Sequence, residues 1–75
     1  MKKLPLMKAG EIARILKKLG FNLMRQQGSH MFFKHPDGRT TVIPNHSGEQ
    51  IDRGLLNKII KKELEMSREE FIEYT

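Results

Sequence analysis

Between Lys8 and Leu19 the apolar residues Ile12, Ile15, Leu16 and Leu19 recur at helical spacing, while Glu11, Arg14, Lys17 and Lys18 fill the opposite face. The pattern predicts an amphipathic helix over 8–19, with one side for a core and one for water. Gly20 follows the last apolar residue, where a left-handed C-terminal cap belongs, and Lys17 and Lys18 suit the negative end of the helix dipole. The start is less sharply marked, because Lys8 is a poor cap and Gly10 weakens the first turn.

From Phe21 to Ile43 the period shortens to that of strands, and two turn signals divide the stretch into Phe21 to Gln27, His30 to His35 and Arg39 to Ile43. Gly28-Ser29 fits a two-residue type II′ hairpin, which wants glycine at its first central position. Pro36-Asp37-Gly38 is a turn in which proline presets φ, aspartate caps the local backbone and glycine supplies positive φ. The middle of the chain is therefore expected to be an antiparallel meander. If Gly28-Ser29 is the tight turn, Gln27 faces His30, Arg25 faces Phe32 and Leu23 faces Lys34 on one side of the sheet. Met24, Gln26, Met31, Phe33 and His35 then share the other side. Met24, Met31 and Phe33, joined by Val42, are the expected core set. Leu23, Phe32 and Ile43 would form an apolar patch on the outward face, a surface suited to a protein partner.

Pro44 to Gly48 is predicted to be a loop, followed by a second helical stripe of Ile51, Leu55, Leu56, Ile59, Ile60 and Leu64 with Asp52 as its cap. Ser67 and Glu70 form a capping box with Met66 and Phe71 as its hydrophobic staple, so a short third helix is expected over about 67–74. The order is α-β-β-β-α-α. Its economical packing is an α+β arrangement, a three-stranded antiparallel sheet with two helices on one face. One domain over 1–75 is expected, with its core in about 8–64.

Composition narrows the functional classes. The 75 residues contain no cysteine, which removes disulfide frameworks, thiol nucleophiles and thiolate zinc sites and agrees with a cytoplasmic setting. The apolar runs are too short to span a membrane, and Met1-Lys2-Lys3 is not followed by the apolar core of a signal peptide. The formal charge is +5, unevenly spread. Residues 1–62 hold thirteen Lys and Arg against four acids, whereas the last thirteen residues hold five acids and one Arg. A basic body of this kind attracts polyanions such as nucleic acid.

His30, His35 and His46 are the groups whose ordinary pKa lies near neutrality, and so the first candidates for acid–base chemistry. A shared metal site is not expected: His30 and His35 point to opposite faces of a strand, and no carboxylate is near either in sequence. His30 stands at the mouth of the tight hairpin, where glycine allows close approach of a ligand and backbone N–H groups can hold a phosphate oxygen. Arg25, Gln27 and Lys34 would surround it, although an ordinary exposed strand histidine fits the same position. His35 is expected to be a strand-end residue. His46 is either a second functional group or a loop residue. Ser29 beside His30 is no nucleophile pair, since adjacent residues on an extended chain point apart.

Taken in order, Leu19-Gly20-Phe21, Arg25-Gln26-Gln27-Gly28-Ser29-His30, Phe33, His35-Pro36-Asp37-Gly38-Arg39, Pro44-Asn45-His46 and Gly54 resemble the HicA family of toxin RNases over nearly the whole chain. The Gly-Ser-His element is short, but its ordered combination with the preceding helix, the Pro-Asp-Gly turn and the Pro-x-His loop is specific. The resemblance implies a fold like the double-stranded-RNA-binding domain, cleavage of messenger RNA and neutralisation by a HicB antitoxin; a neutral imidazole can take the proton of a ribose 2′-OH for attack on the adjacent phosphate, so no metal or other cofactor is expected. It also implies that His30 is the catalytic histidine, with Gly28 and Ser29 shaping its turn. Arg25, Gln27, Gly28, Ser29, Lys34 and His46 are the candidates for RNA binding or phosphate stabilisation. The chain departs from the family's pattern at Leu55, where many relatives carry a small polar residue. A non-catalytic RNA-binding module using the same basic surface is the competing expectation.

Overall fold

The computed structural model describes residues 4–46 and 48–75. Met1, Lys2, Lys3 and Ser47, the last within the predicted 44–48 loop, lie outside the described residues. In chain order the elements are β1 (Met7–Lys8), α1 (Ala9–Lys18), β2 (Asn22–Gln27), β3 (His30–Lys34), β4 (Thr40–Pro44), β5 (Gln50–Ile51), α2 (Arg53–Lys58) and α3 (Arg68–Ile72). The helix of α2 continues as a π-helical turn over Ile59–Glu63.

Helix α1 forms where the periodicity placed it. Its cap comes from the third residue rather than from Lys8: the Lys8 backbone N–H donates to Glu11 Oε1 at 3.0 Å. At the other end Gly20 takes φ +98°, the Gly20 N–H donates to the Lys17 carbonyl at 3.1 Å, and the Phe21 N–H donates to Leu16 at 2.9 Å. These are the two bonds of a Schellman motif. Phe21 thus closes the helix instead of opening β2, and its ring is buried. Ile12 and Leu16 are fully buried; each contributes about 1.5–3 kcal/mol over leaving it exposed.

The three-stranded sheet has the order β2-β3-β4 and is antiparallel throughout. At the hairpin, Gln27 pairs with His30 and Arg25 with Phe32, as expected. Gly28 has φ +59° while Ser29 keeps a negative φ, the combination that marks a II′ turn rather than I′. Further along β2 the register shifts between Leu23 and Arg25, so Leu23 pairs with Phe33 and Asn22 with Lys34. Leu23 does not face Lys34. Met24 is the extra residue of this bulge and, at 61% exposure, is not a core residue. A bulge moves one residue out of the alternation, which a strict two-residue count cannot anticipate.

The third strand is offset from the expected phase by one position. Met31 pairs with Ile43 and Phe32 with Val42, so Ile43 (0% exposed) belongs to the core and Val42 (36%) to the open face. The expected assignments of these two residues are reversed. The Pro36-Asp37-Gly38 turn sets this phase: the His35 N–H donates to the Arg39 carbonyl at 2.8 Å, and the Gly38 N–H to the His35 carbonyl at 2.9 Å.

Met31, Phe33 and Ile43 meet α1 and α2 in one core that also takes Ile12, Leu16, Phe21, Leu56, Ile60, Leu64 and Phe71. Ile51 is a strand residue, pairing with Met7 in the two-stranded ribbon β1-β5, and not part of the second helix. That helix begins after Asp52, whose side chain accepts the Leu55 N–H at 3.1 Å. In its π-helical turn the Leu64 N–H reaches back five residues to the Ile59 carbonyl. Helix α3 has the expected capping box, with the Glu70 N–H on Ser67 Oγ at 3.0 Å and the Ser67 N–H on Glu70 Oε1 at 3.1 Å. Both helices lie on the side of the sheet that carries Met31, Phe33 and Ile43. The other side is left open.

Candidate active site

Three cross-strand rows make up the open face. Because directly paired residues of an antiparallel ladder share a side, Gln27, His30 and Pro44 form the first row, Arg25, Phe32 and Val42 the second, and Asn22, Lys34 and Thr40 the third. The expected grouping of Arg25, Gln27 and Lys34 with His30 on one side is what the register produces. They are not equidistant from it. His30 and Lys34 are four residues apart on one strand, about 13 Å, while Arg25 belongs to the row between them.

His30 is exposed and begins β3 immediately after the turn. Gly28 and Ser29 are turn residues, so their N–H groups lie outside the strand ladder. The Asn45 N–H donates to the Ser29 carbonyl, which makes His30 and Pro44 a non-hydrogen-bonded pair, the kind with Cα atoms about 4.5 Å apart. Proline costs nothing there because no donor is required of it. The same bond ties the start of the 44–48 loop to the hairpin, so His46 is carried on the segment leaving the His30 row.

Arg25 is held by stacking. Its guanidinium lies 4.5 Å from the centroid of the Phe32 ring, a cation–π contact that orients the charge without consuming all its hydrogen-bond donors. Met24, the residue of the bulge, and Val42, in the same row as Phe32, are exposed. Of the expected apolar patch of Leu23, Phe32 and Ile43 only Phe32 is on the open face, because Leu23 pairs with Phe33 and Ile43 with Met31 on the core side; Val42 joins Phe32 there.

His35 has a different role. Its ring stands edge-on to Phe21 at 5.1 Å, and a Cβ on Gly20 would sit 2.9 Å from its Nε2. The Asp37 N–H donates to His35 Nδ1 at 3.1 Å. Asp37 Oδ1 lies 3.0 Å from the same nitrogen, a contact that becomes a hydrogen bond when the imidazole is protonated. Arg39 closes this cluster: its Nε donates to Asp37 Oδ2 at 2.7 Å, its guanidinium lies 5.2 Å from the Phe21 centroid, and it donates to the Leu64 carbonyl at the end of the π-helical turn. The Arg39 backbone N–H on Asp37, followed by the guanidinium, holds the Asp37 carboxyl below its ordinary value.

Sequence reasoning missed the surroundings of His46. Pro44, His46, Glu49, Gln50, Ile51, Asp52 and Leu55 line a shallow groove that continues from the His30 row. Its walls come from β4, β5 and the cap of α2, and the pairing of β5 with β1 that positions one wall has no local signature. Among the described residues no group of three His, Cys, Asp or Glu side chains is arranged to hold a metal ion. No described helix is long and apolar enough to cross a membrane.

Residues 9–64 match the family described as the HicA toxin of bacterial toxin–antitoxin systems. A relative from Pseudomonas fluorescens (strain Pf0-1), named probable mRNA interferase HicA, is 36% identical over 56 residues, which cover 75% of this chain and 92% of the relative. The matched segment runs from α1 through the π-helical turn, and so contains the whole sheet and its open face.

Proposed function

The chain belongs to the HicA toxin family of bacterial toxin–antitoxin systems, and from that membership we propose that it is an endoribonuclease that cleaves messenger RNA with His30 as general base. The observation that carries the assignment is the placement of His30: exposed, at the edge of an open sheet face, beside a glycine turn, with a stacked arginine in the next row. His35 is engaged with Phe21, Gly20 and Asp37 and is the structural histidine of the pair.

In the proposed reaction the neutral His30 imidazole removes the proton of a ribose 2′-OH. The 2′-oxygen attacks the adjacent phosphorus, the P–O5′ bond breaks, and the 5′-oxygen leaves with a proton from a general acid, giving a 2′,3′-cyclic phosphate and a 5′-OH. General acid–base catalysis of this type supplies roughly 10²–10⁴-fold. Further acceleration comes from donors aimed at the phosphate: the N–H groups of Gly28 and Ser29 and the Arg25 guanidinium. Gln27, in the His30 row, offers an amide to the same substrate, and Lys34 binds a phosphate farther along the chain. His46 is our candidate for the acid. No metal ion takes part.

The partner is a HicB-type antitoxin that covers the open face. Met24, Val42 and the half-buried Phe32 provide apolar area near His30, so one protein docked there would block the base and remove these side chains from water together.

The test is an RNA cleavage assay in excess chelator comparing wild type with His30→Ala, both checked for folding. Cleavage of RNA by the wild type, none of DNA, and loss in the variant with RNA binding retained are expected. Two folded proteins that bind RNA and do not cut it would leave an RNA-binding module; equal cutting by both would remove His30 from the mechanism.

A further inference from the structure

We propose that the groove beside His30 is a nucleobase subsite that selects guanine through the Glu49 carboxylate; this rests on the ribonuclease reading and specifies the substrate of that same site. The groove starts at Pro44, the cross-strand neighbour of His30, and runs past His46, Glu49 and Gln50 to Asp52 and Leu55. Its lining is divided by chemistry. Pro44, Ile51 and Leu55 supply apolar surface, with Leu55 41% exposed, while Glu49 and Asp52 place two carboxylates on the rim.

That division suits a base and not a phosphate. Most of the described chain up to this groove is basic, yet here the formal charges are negative, so a phosphate is repelled toward Arg25 and the hairpin, and the uncharged base is the part of a nucleotide that can enter. Single-stranded RNA is read in this manner, by an apolar platform for the flat face of the base and hydrogen bonds to its edge.

A carboxylate only accepts hydrogen bonds. Guanine presents two adjacent donors, N1–H and N2–H, which match both oxygens of one carboxylate. Uracil presents one N–H between two carbonyls, and a carboxylate meets those carbonyls with repulsion. Adenine and cytosine offer an amino group beside an acceptor nitrogen, one favourable contact and one unfavourable. Asp52 Oδ2 already accepts the Leu55 N–H, which leaves that carboxylate one oxygen. Among the described residues nothing bonds to the Glu49 carboxylate, so Glu49 is the bidentate partner. Leu55, where the chain departs from the family's pattern, gives the base its apolar wall.

The test uses short oligouridylates carrying one internal guanosine, adenosine or cytidine, with all-uridine as reference. Binding is measured with His30→Ala, which leaves the RNA whole, and with the same protein carrying Glu49→Gln, both checked by thermal melting. Cleavage by wild type is measured in parallel. The expected result is binding of the guanosine oligonucleotide about tenfold or more tighter than the reference, the discrimination of one good bidentate pair. Glu49→Gln should erase that preference, with backbone amide shifts at Glu49, Gln50 and Leu55 on binding in the first protein. Equal binding of all four RNAs, or an unchanged preference in Glu49→Gln, overturns the subsite. Because binding is read without cleavage, guanine preference with an inactive wild type would sink the nuclease reading alone, and cleavage without preference would sink the subsite alone.

Discussion

The two ends of β3 each present a histidine, and the protein holds them in opposite ways. His30 opens the strand in water, next to a turn with empty space around Gly28. His35 follows the strand's other end with its ring against Phe21 and Gly20 and its Nδ1 on the Asp37 backbone. Residues tied by several contacts serve stability; a histidine left free to meet a substrate at the edge of a rigid sheet is what acid–base chemistry requires. Identity of residue type therefore says nothing about role here. Attachment does.

The largest test of this contrast is to delete each imidazole in turn. His30→Ala should lower RNA cleavage by about 10²-fold or more while leaving the melting temperature nearly unchanged. His35→Ala should do the reverse, lowering the melting temperature and leaving single-turnover cleavage intact at a temperature where the variant is folded. Cleavage that depends equally on both would erase the distinction.

Glycine substitutions sharpen it. Gly20→Ala places a side chain at φ +98° and 2.9 Å from His35, so both backbone strain of about 1–3 kcal/mol and loss of the His35–Phe21 contact are expected in denaturant unfolding. Gly28→Ala also meets a positive φ, +59°, but nothing lies within 4 Å. Its cost should be the smaller of the two.

A smaller effect is expected from Arg25→Ala. Removing this cation from the open face should weaken RNA binding across sequences and reduce the slope of log affinity against log salt by roughly one unit or less, measured by titration at several salt concentrations. An unchanged slope would mean that Arg25 serves only to cover Phe32.

The smallest effect concerns the turn at the His35 end. The Asp37 carboxyl is held below its ordinary 3.8, first by the Arg39 N–H and then by the guanidinium. A lowered folded-state value means that the ionised group stabilises the fold above its ordinary value and that this contribution is lost as pH falls through the lowered one. Asp37→Asn keeps an acceptor for the Arg39 N–H but loses the charge, so wild type should be slightly the more stable at pH 6, with the gap closing as the solution becomes strongly acidic. A gap that widens toward acid would contradict the assignment.

Much of this was legible along the chain because the signals are local. Helix α1 is specified by its periodicity and by Gly20, the hairpin by Gly28-Ser29, the second helix by Asp52, and α3 by Ser67 and Glu70; each works through bonds spanning at most a few residues. His30 was singled out by its neighbours in sequence. The bulge at Met24 was not legible, because a bulge arises from how an edge strand fits its partner and leaves no required residue type behind. Val42 and Ile43 were interchanged for a related reason: two apolar neighbours on one strand look alike until the phase of the preceding turn decides which faces inward.

By itself, then, the sequence determined the order of elements, their caps and turns, and the family to which the chain belongs, since all of these are written in short-range spacing. Tertiary structure alone decided which face of the sheet stays open, that Val42 rather than Ile43 accompanies Phe32 there, and that His35 is enclosed while His30 is not. It also decided that β1 meets β5, so that His46, Glu49 and Leu55 line one groove beside Pro44. These outcomes depend on contacts between residues up to some forty positions apart, whose formation follows from burying one shared core, and no local pattern encodes them.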